Sequence, residues 1–318
     1  MNEEKNMLKL IFGIIFSSII IYFTAKSLGG LNPYILLSAD INWALAVLSG
    51  LIFVFAVFIR ALVYPFGIDK SMKINQAFDI VAIGNAANMV LPLRLGEGLR
   101  AALFPRNFSP SKRTWLLMVP AAADLLSILT ISELALPLSG FNDPVLIKIL
   151  HTASLIFLVI IVLLLILLFS VPRFKLTAEL FVHGSVLKMI LWTFSSWLVM
   201  LASIYVGLMA FGYDVQSSFK MSFAIFASTN IVTFLPSSPG GIGLFEYGVV
   251  LGMKSLGIQR FPGKEVGLLI HIIQYAVMLP LGATLYIASL RRKKLAAIKA
   301  TSKKVTIQTP SKKHLNKR

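Results

Sequence analysis

Between Lys148 and Arg173 the chain runs through residues 149–172 without a charged side chain. A helix crosses the hydrocarbon core of a bilayer with about 20 apolar residues, so such a run admits a membrane span and little else. Similar charge-free runs occupy 41–59, 189–213 and 266–290. A shorter one, 10–25, is extended by snorkelling of Lys9 and Lys26. It is long for the apolar part of a signal peptide, and no small-x-small cleavage site follows it. A further helix, from Trp115 to Pro137, carries Asp124 and Glu133. Charged residues are 14% of the chain, against about 25% in soluble domains, too few to cover a soluble surface. The expectation is an all-α integral membrane protein with about six full transmembrane helices.

The charges orient these helices. Net charge is +17, and residues 291–318 hold eleven of the 30 Lys and Arg with no acidic residue. After a membrane span this tail reads as a cytoplasmic anchor on anionic lipid, rather than a nucleic-acid-binding segment. Two regions follow, a transmembrane domain 1–290 and the basic tail 291–318. With the tail inside, Arg173, Lys175 and Lys188 fall inside, as do Arg94, Arg100, Arg106, Lys112 and Arg113, and Arg60, Lys70 and Lys73. Both termini are then cytoplasmic, and the protein is a multi-pass protein of the cell membrane. There is no cysteine and only four scattered histidines, so no metal site and no cofactor is expected.

Two apolar segments remain, 76–110 and 219–257. Charge parity requires the first to begin and end inside and the second outside. Each therefore reads as a re-entrant helical hairpin. Their turning points correspond. "GNAANMVLPLRLGEGLRAALFPR" (84–106) and "TNIVTFLPSSPGGIGLFEYG" (229–248) each carry a polar amide, then Leu-Pro, then a glycine four residues after the proline, then a glutamate. The amides are Asn85 and Asn88 in the first and Asn230 in the second; the glutamates are Glu97 and Glu246. Broken apolar segments at corresponding places in two halves point to an inverted repeat with a site at its interface. Irregular backbone is tolerated at membrane depth only where it is buried in protein or lines a wet cavity.

In the second segment Pro236 and Pro239 stop the entering helix, and Gly240, Gly241 and Gly243 allow the turn. A returning half-helix starts near Leu244, and its free amides, with Ser237 and Ser238, suit a phosphate or carboxylate. In the first segment the guanidinium forks of Arg94 and Arg100 suit phosphate, and Glu97 suits an arginine or a cationic headgroup. One of these arginines is expected to neutralise Glu246, and the two tips are expected within roughly 15 Å of each other. Asn88, Asn230, Gly240 and Gly241 complete the binding set. Asp124, His271 and Gln274 are secondary candidates; His271, Gln274 and Tyr275 share one helix face, where packing between helices is the plainer role.

"NMVLPLRLGEGLR" (88–100) and "LPSSPGGIGLFE" (235–246) resemble the signature stretches of the lysylphosphatidylglycerol synthase transmembrane, flippase-like family, and the resemblance covers about residues 8–290. Three residues at two sites depart from it. "VPAAADLLSIL" keeps Asp124 but has Pro120 and Ala121 where the family carries a Glu-Arg pair, and His271 stands where its last helix carries an arginine. The soluble aminoacyl-transferase domain of the lysyl-lipid synthases has no counterpart in this sequence. The resemblance implies a flippase-like transporter of an anionic or headgroup-modified phospholipid, not an enzyme. The alternatives are a membrane transferase acting on lipid and a non-catalytic partner of a lipid or polysaccharide synthase. Expected partners are membrane lipid, and a second copy or a synthase, with no nucleic acid.

Overall fold

The computed structural model describes residues 40–91, 94–105, 107–170, 185–233, 239–257 and 263–308. The run 10–25 lies outside them. The described residues form helices α1 (Trp43–Ala61), α2 (Ile74–Val90), α3 (Gly96–Leu103), α4 (Pro110–Ser139), α5 (Pro144–Ser170), α6 (Ser185–Ala210), α7 (Val215–Val232), α8 (Leu244–Ser255) and α9 (Gly263–Gln308). Five stretches are long and apolar enough to cross a membrane: Trp43–Ile68, Pro110–Ser139, Pro144–Leu163, Val186–Ala210 and Glu265–Arg292. These correspond to five of the six expected spans.

Short polar side chains set the helix starts. Asn42, Ser109 and Asp214 each accept a bond from a backbone amide three residues on, as N-caps do. Asp143 accepts from both Val145 and Leu146. Gly140, at φ 74, ends α4, so α4 and α5 are joined by four residues only. The first span closes with a π turn, Tyr64–Ile68, around Pro65, whose missing N–H disturbs the regular ladder.

Helices α1 and α6 form the central pair. The Ser49 hydroxyl donates to the Ser203 carbonyl at 2.8 Å, and the Ser203 hydroxyl returns a bond to the Ser49 carbonyl at 2.9 Å. Seven residues on, Ala56 accepts from Ser196 at 3.0 Å. As one helix advances the other retreats, so they run antiparallel. Small hydroxyl residues let helix backbones approach where lipid supplies no hydrophobic drive.

The two remaining elements are helix pairs folded back on themselves. Helix α3 returns along α2, with Gly96 so close that a Cβ there would lie 2.7 Å from Asn88 Cγ. Helix α8 returns along α7, where a Cβ on Gly248 would lie 2.6 Å from Thr229 Cα, and Ser228 donates to the Gly248 carbonyl at 2.7 Å. Both pairs pack on α9, from opposite ends. Arg292 pairs with Asp79 near the start of α2, and Tyr275 reaches Met89 near its end. From the other end, Gly263 packs on Val250 and Gly267 on Glu246. Thus α2 and α8 each run antiparallel to α9, and the ends that adjoin the breaks meet within its span Glu265–Arg292.

At the Arg292 end, Lys112 at the start of α4 holds Asp69 at 2.6 Å. Desolvation pushes the Asp69 carboxyl up, but its bonds from Lys112 and Ser71 outweigh this and hold it below the ordinary range. The tie is therefore complete at neutral pH and is lost as pH falls through that depressed value.

Candidate functional site

The meeting of the two breaks is built around Tyr275. Its hydroxyl donates to the Met89 carbonyl at 3.2 Å. Gly240 lies directly against it: a Cβ on Gly240 would overlap the hydroxyl, and would lie 2.9 Å from Tyr275 Cζ and 3.3 Å from the Met89 carbonyl oxygen. Gly240, Gly241 and Gly243 have φ of 62, 74 and 92, a region open to glycine at little cost. The end of α2, the turn before α8 and Tyr275 of α9 thus touch; Pro92, at the first tip, lies outside the described residues. Tyr275 stands about 15 Å along α9 from Glu265 and about 25 Å from Arg292, at 1.5 Å per residue. The segment 234–238, with Pro236, Ser237 and Ser238, lies outside the described residues.

Glu246 is buried, and both its oxygens are engaged. Oε2 accepts from the Gly243 amide at 2.5 Å, so the carboxylate caps its own half-helix. Oε1 meets His271 Nδ1 at 2.7 Å. The expected arginine partner is therefore replaced by a histidine, because α8 packs on α9 rather than on the first broken pair. Phe245 stacks on the imidazole with centroids 4.1 Å apart, and Tyr275 meets the ring edge-on at 5.6 Å. Asn230 is turned back into its own helix, donating to the Phe226 carbonyl at 2.8 Å. Gln274 is half-buried beside Tyr275.

In the first broken pair Arg100 is buried, 6% exposed. It donates to Glu97 at 3.0 Å and to Asn85, while Asn88 donates to the other Glu97 oxygen at 3.0 Å. A Cβ on Gly84 would collide with the Arg100 stem. Two buried atoms of this cluster, Arg100 Nε and Asn88 Oδ1, have no partner among the described residues. Arg94 is placed differently. It is exposed in the break between α2 and α3, at φ 55, the one described non-glycine residue with positive φ. Such a backbone costs about 1–3 kcal/mol and is found disproportionately at functional sites.

Asp124 makes no contact with Tyr275, Gly240 or Met89 among the described residues, but it lies within electrostatic reach of Arg100 and Glu97 of the first broken pair. Arg60 of α1 forms an ion pair with it, Trp197 of α6 donates to it at 2.9 Å, and the Arg60 guanidinium lies 5.5 Å from the Trp197 ring centroid. Glu133, nine residues on, pairs instead with His151 of α5 at 2.8 Å. In the sequence Arg60 is indistinguishable from the inside charges Lys70 and Lys73 that follow it. It does sit within the first span, where a charge needs a partner.

The chain belongs to a family of polytopic membrane domains: residues 10–282 match the family described as "Lysylphosphatidylglycerol synthase TM region". It is also 33% identical over 88 residues to the "UPF0104 membrane protein" of Methanothermobacter thermautotrophicus, a match covering 28% of this chain and 26% of that protein. No solved structure matches the chain.

Proposed function

We propose that the protein is a flippase-like transporter, carrying an anionic or headgroup-modified phospholipid across the cell membrane. Its site is the junction of the two broken helix pairs, read as re-entrant hairpins of an inverted repeat. The observation that carries this is the contact of Met89, Gly240 and Tyr275 inside the span Glu265–Arg292 of α9, reached from opposite directions. A lipid-related membrane role fits the family as well. In this reading Arg94 receives the lipid phosphate at the mouth of the first break, and Arg100 and Asn88 hold Glu97 in place behind it. Glu246 occupies the amide end of α8, so that end is already neutralised and the lipid phosphate is left to Arg94. No nucleotide-binding loop is present in the sequence, so movement follows a gradient of lipid or ion.

The test is reconstitution of the pure protein in vesicles with headgroup-labelled lipids on one leaflet. Transport of one anionic class, with the lipid chemically unchanged, is the expected result. A changed headgroup makes the protein a transferase, and neither outcome leaves it a partner of a synthase. Within that assay Arg94→Lys keeps the charge but loses the two-pronged fork, and should slow transport several-fold while protein yield and melting stay unchanged. Equal rates for the wild type, Arg94→Lys and Arg94→Ala would remove Arg94 from the site.

Orientation has its own test, helped by the absence of cysteine. Ser71 before α2 and Lys254 at the end of α8 are both exposed. In sealed vesicles Ser71→Cys should react with an impermeant maleimide from the cytoplasmic side only, and Lys254→Cys from the outer side only. Reaction of both from one side would end the inverted-repeat reading.

A further inference from the structure

We infer that Glu246 and His271 form a proton-binding site that sets how firmly the two broken helix pairs are held together. The proposal rests on this pair and its neighbours, and stands whether or not lipid is what the protein moves.

The geometry fixes the chemistry. Glu246 Oε2 is committed to the Gly243 amide, and Oε1 lies 2.7 Å from His271 Nδ1. With the carboxylate ionised, Nδ1 must carry a hydrogen, so the neutral imidazole is the Nδ1–H tautomer and its open position is Nε2. A proton arriving at Nε2 converts a hydrogen bond into an ion pair, and the net charge of the buried unit goes from −1 to zero. The bond is charge-assisted in both states, since its acceptor is ionised; protonation adds the attraction of two opposite unit charges. Residues 3% and 6% exposed, Glu246 and His271, are screened little by solvent.

Few other charges reach this pair. On α9 itself the neighbouring titratable groups are Glu265 and Tyr275. Helix α7 faces α8 here with Ser228 and Thr229, and α2 approaches with Asn85, Asn88 and Met89. The charges on the elements that pack on α9 are held elsewhere: Arg60 by Asp124, Asp79 by Arg292, and Arg100 by Glu97. Lys188 and Lys220 lie near the starts of α6 and α7, and Lys254 at the far end of α8.

The pair is coupled to the junction by one helix face. His271 and Tyr275 are one turn apart on α9, and the two rings meet edge-on. The first holds the cap of α8, while the second bonds the end of α2 and presses on Gly240. Protonation therefore tightens α8 on the helix that also holds α2; deprotonation leaves the carboxylate held by a neutral imidazole N–H, with a net charge of −1 in the buried unit.

The test uses the full chain in phosphatidylcholine nanodiscs with spin labels at Leu91→Cys and Tyr247→Cys, both exposed positions. The label-to-label distance distribution is measured from pH 5 to pH 8.5. With His271 present it should be narrow in acid and broaden as pH rises, in one titration. His271→Arg keeps the charge and should stay narrow throughout; His271→Gln should stay broad throughout. Nitrogen NMR of the imidazoles, with His271→Gln identifying the resonance, should give the same midpoint. A distribution unchanged with pH in the histidine protein, or the same titration in His271→Gln, overturns the proposal. Neither readout uses transport, so failure of the lipid assay leaves this result intact and separately readable.

Discussion

Gly240→Ala should abolish transport and loosen the junction, the largest effect expected of any single methyl group in the protein. Two costs combine. The φ of 62 is left-handed, which costs an alanine about 1–2 kcal/mol. The new Cβ would also overlap the Tyr275 hydroxyl, with Cζ and the Met89 carbonyl at 2.9 and 3.3 Å behind it. The hydroxyl cannot retreat without giving up its bond to Met89. Tyr275→Phe removes the overlapping atom, so the double variant Gly240→Ala/Tyr275→Phe should recover part of the transport that Gly240→Ala loses. Rates for the four proteins form a double-mutant cycle, and residues in contact should show clear coupling. Strict additivity would mean that Gly240 acts through its backbone alone. Glu246→Gln should be milder, because a glutamine carbonyl still accepts from the Gly243 amide or from His271.

That site was legible in part, and the reason is physical. Pro236, Gly240, Gly241 and Gly243 forbid a continuous helix, so the break and the start of α8 at Leu244 could be read from composition. The charge-free runs gave the spans in the same way, since length and apolarity are local properties. Partners are not local. Which cation meets Glu246 depends on how α8 lies against α9, and the choice of Arg94 or Arg100 assumed that the second hairpin packs on the first. In the first broken pair the buried Arg100 instead turns to its own neighbours, Glu97 and Asn85. His271 and Tyr275 were recognised as one helix face but read as packing. Their spacing of four residues did signal that one helix serves two neighbours at once.

Asp124→Leu should destabilise the protein by about 3–5 kcal/mol, the usual cost of removing one partner from a buried ion pair. The pair joins α4 to α1, and Trp197 adds α6 to the same carboxylate. The side chains of Arg60 and Asp124 are 20% and 13% exposed, so solvent softens the loss only slightly. What remains after Asp124→Leu is a guanidinium inside the span Trp43–Ile68, without its acceptor, and an indole N–H that has lost its own. The cost belongs mainly to that stranded charge rather than to a bond worth keeping. Arg60→Met/Asp124→Leu should therefore be more stable than Asp124→Leu alone, recovering most of the loss in denaturation of the micelle-bound protein. Arg60→Lys should fall between the wild type and Asp124→Leu, since an ammonium keeps the charge but neither the fork nor the face that lies over Trp197. If the double variant is no more stable than the single one, the pair contributes directly to holding α1 against α4. If instead its stability returns while transport stays lost, the charge pair serves the transport cycle itself, through the Arg100 and Glu97 charges within its electrostatic reach.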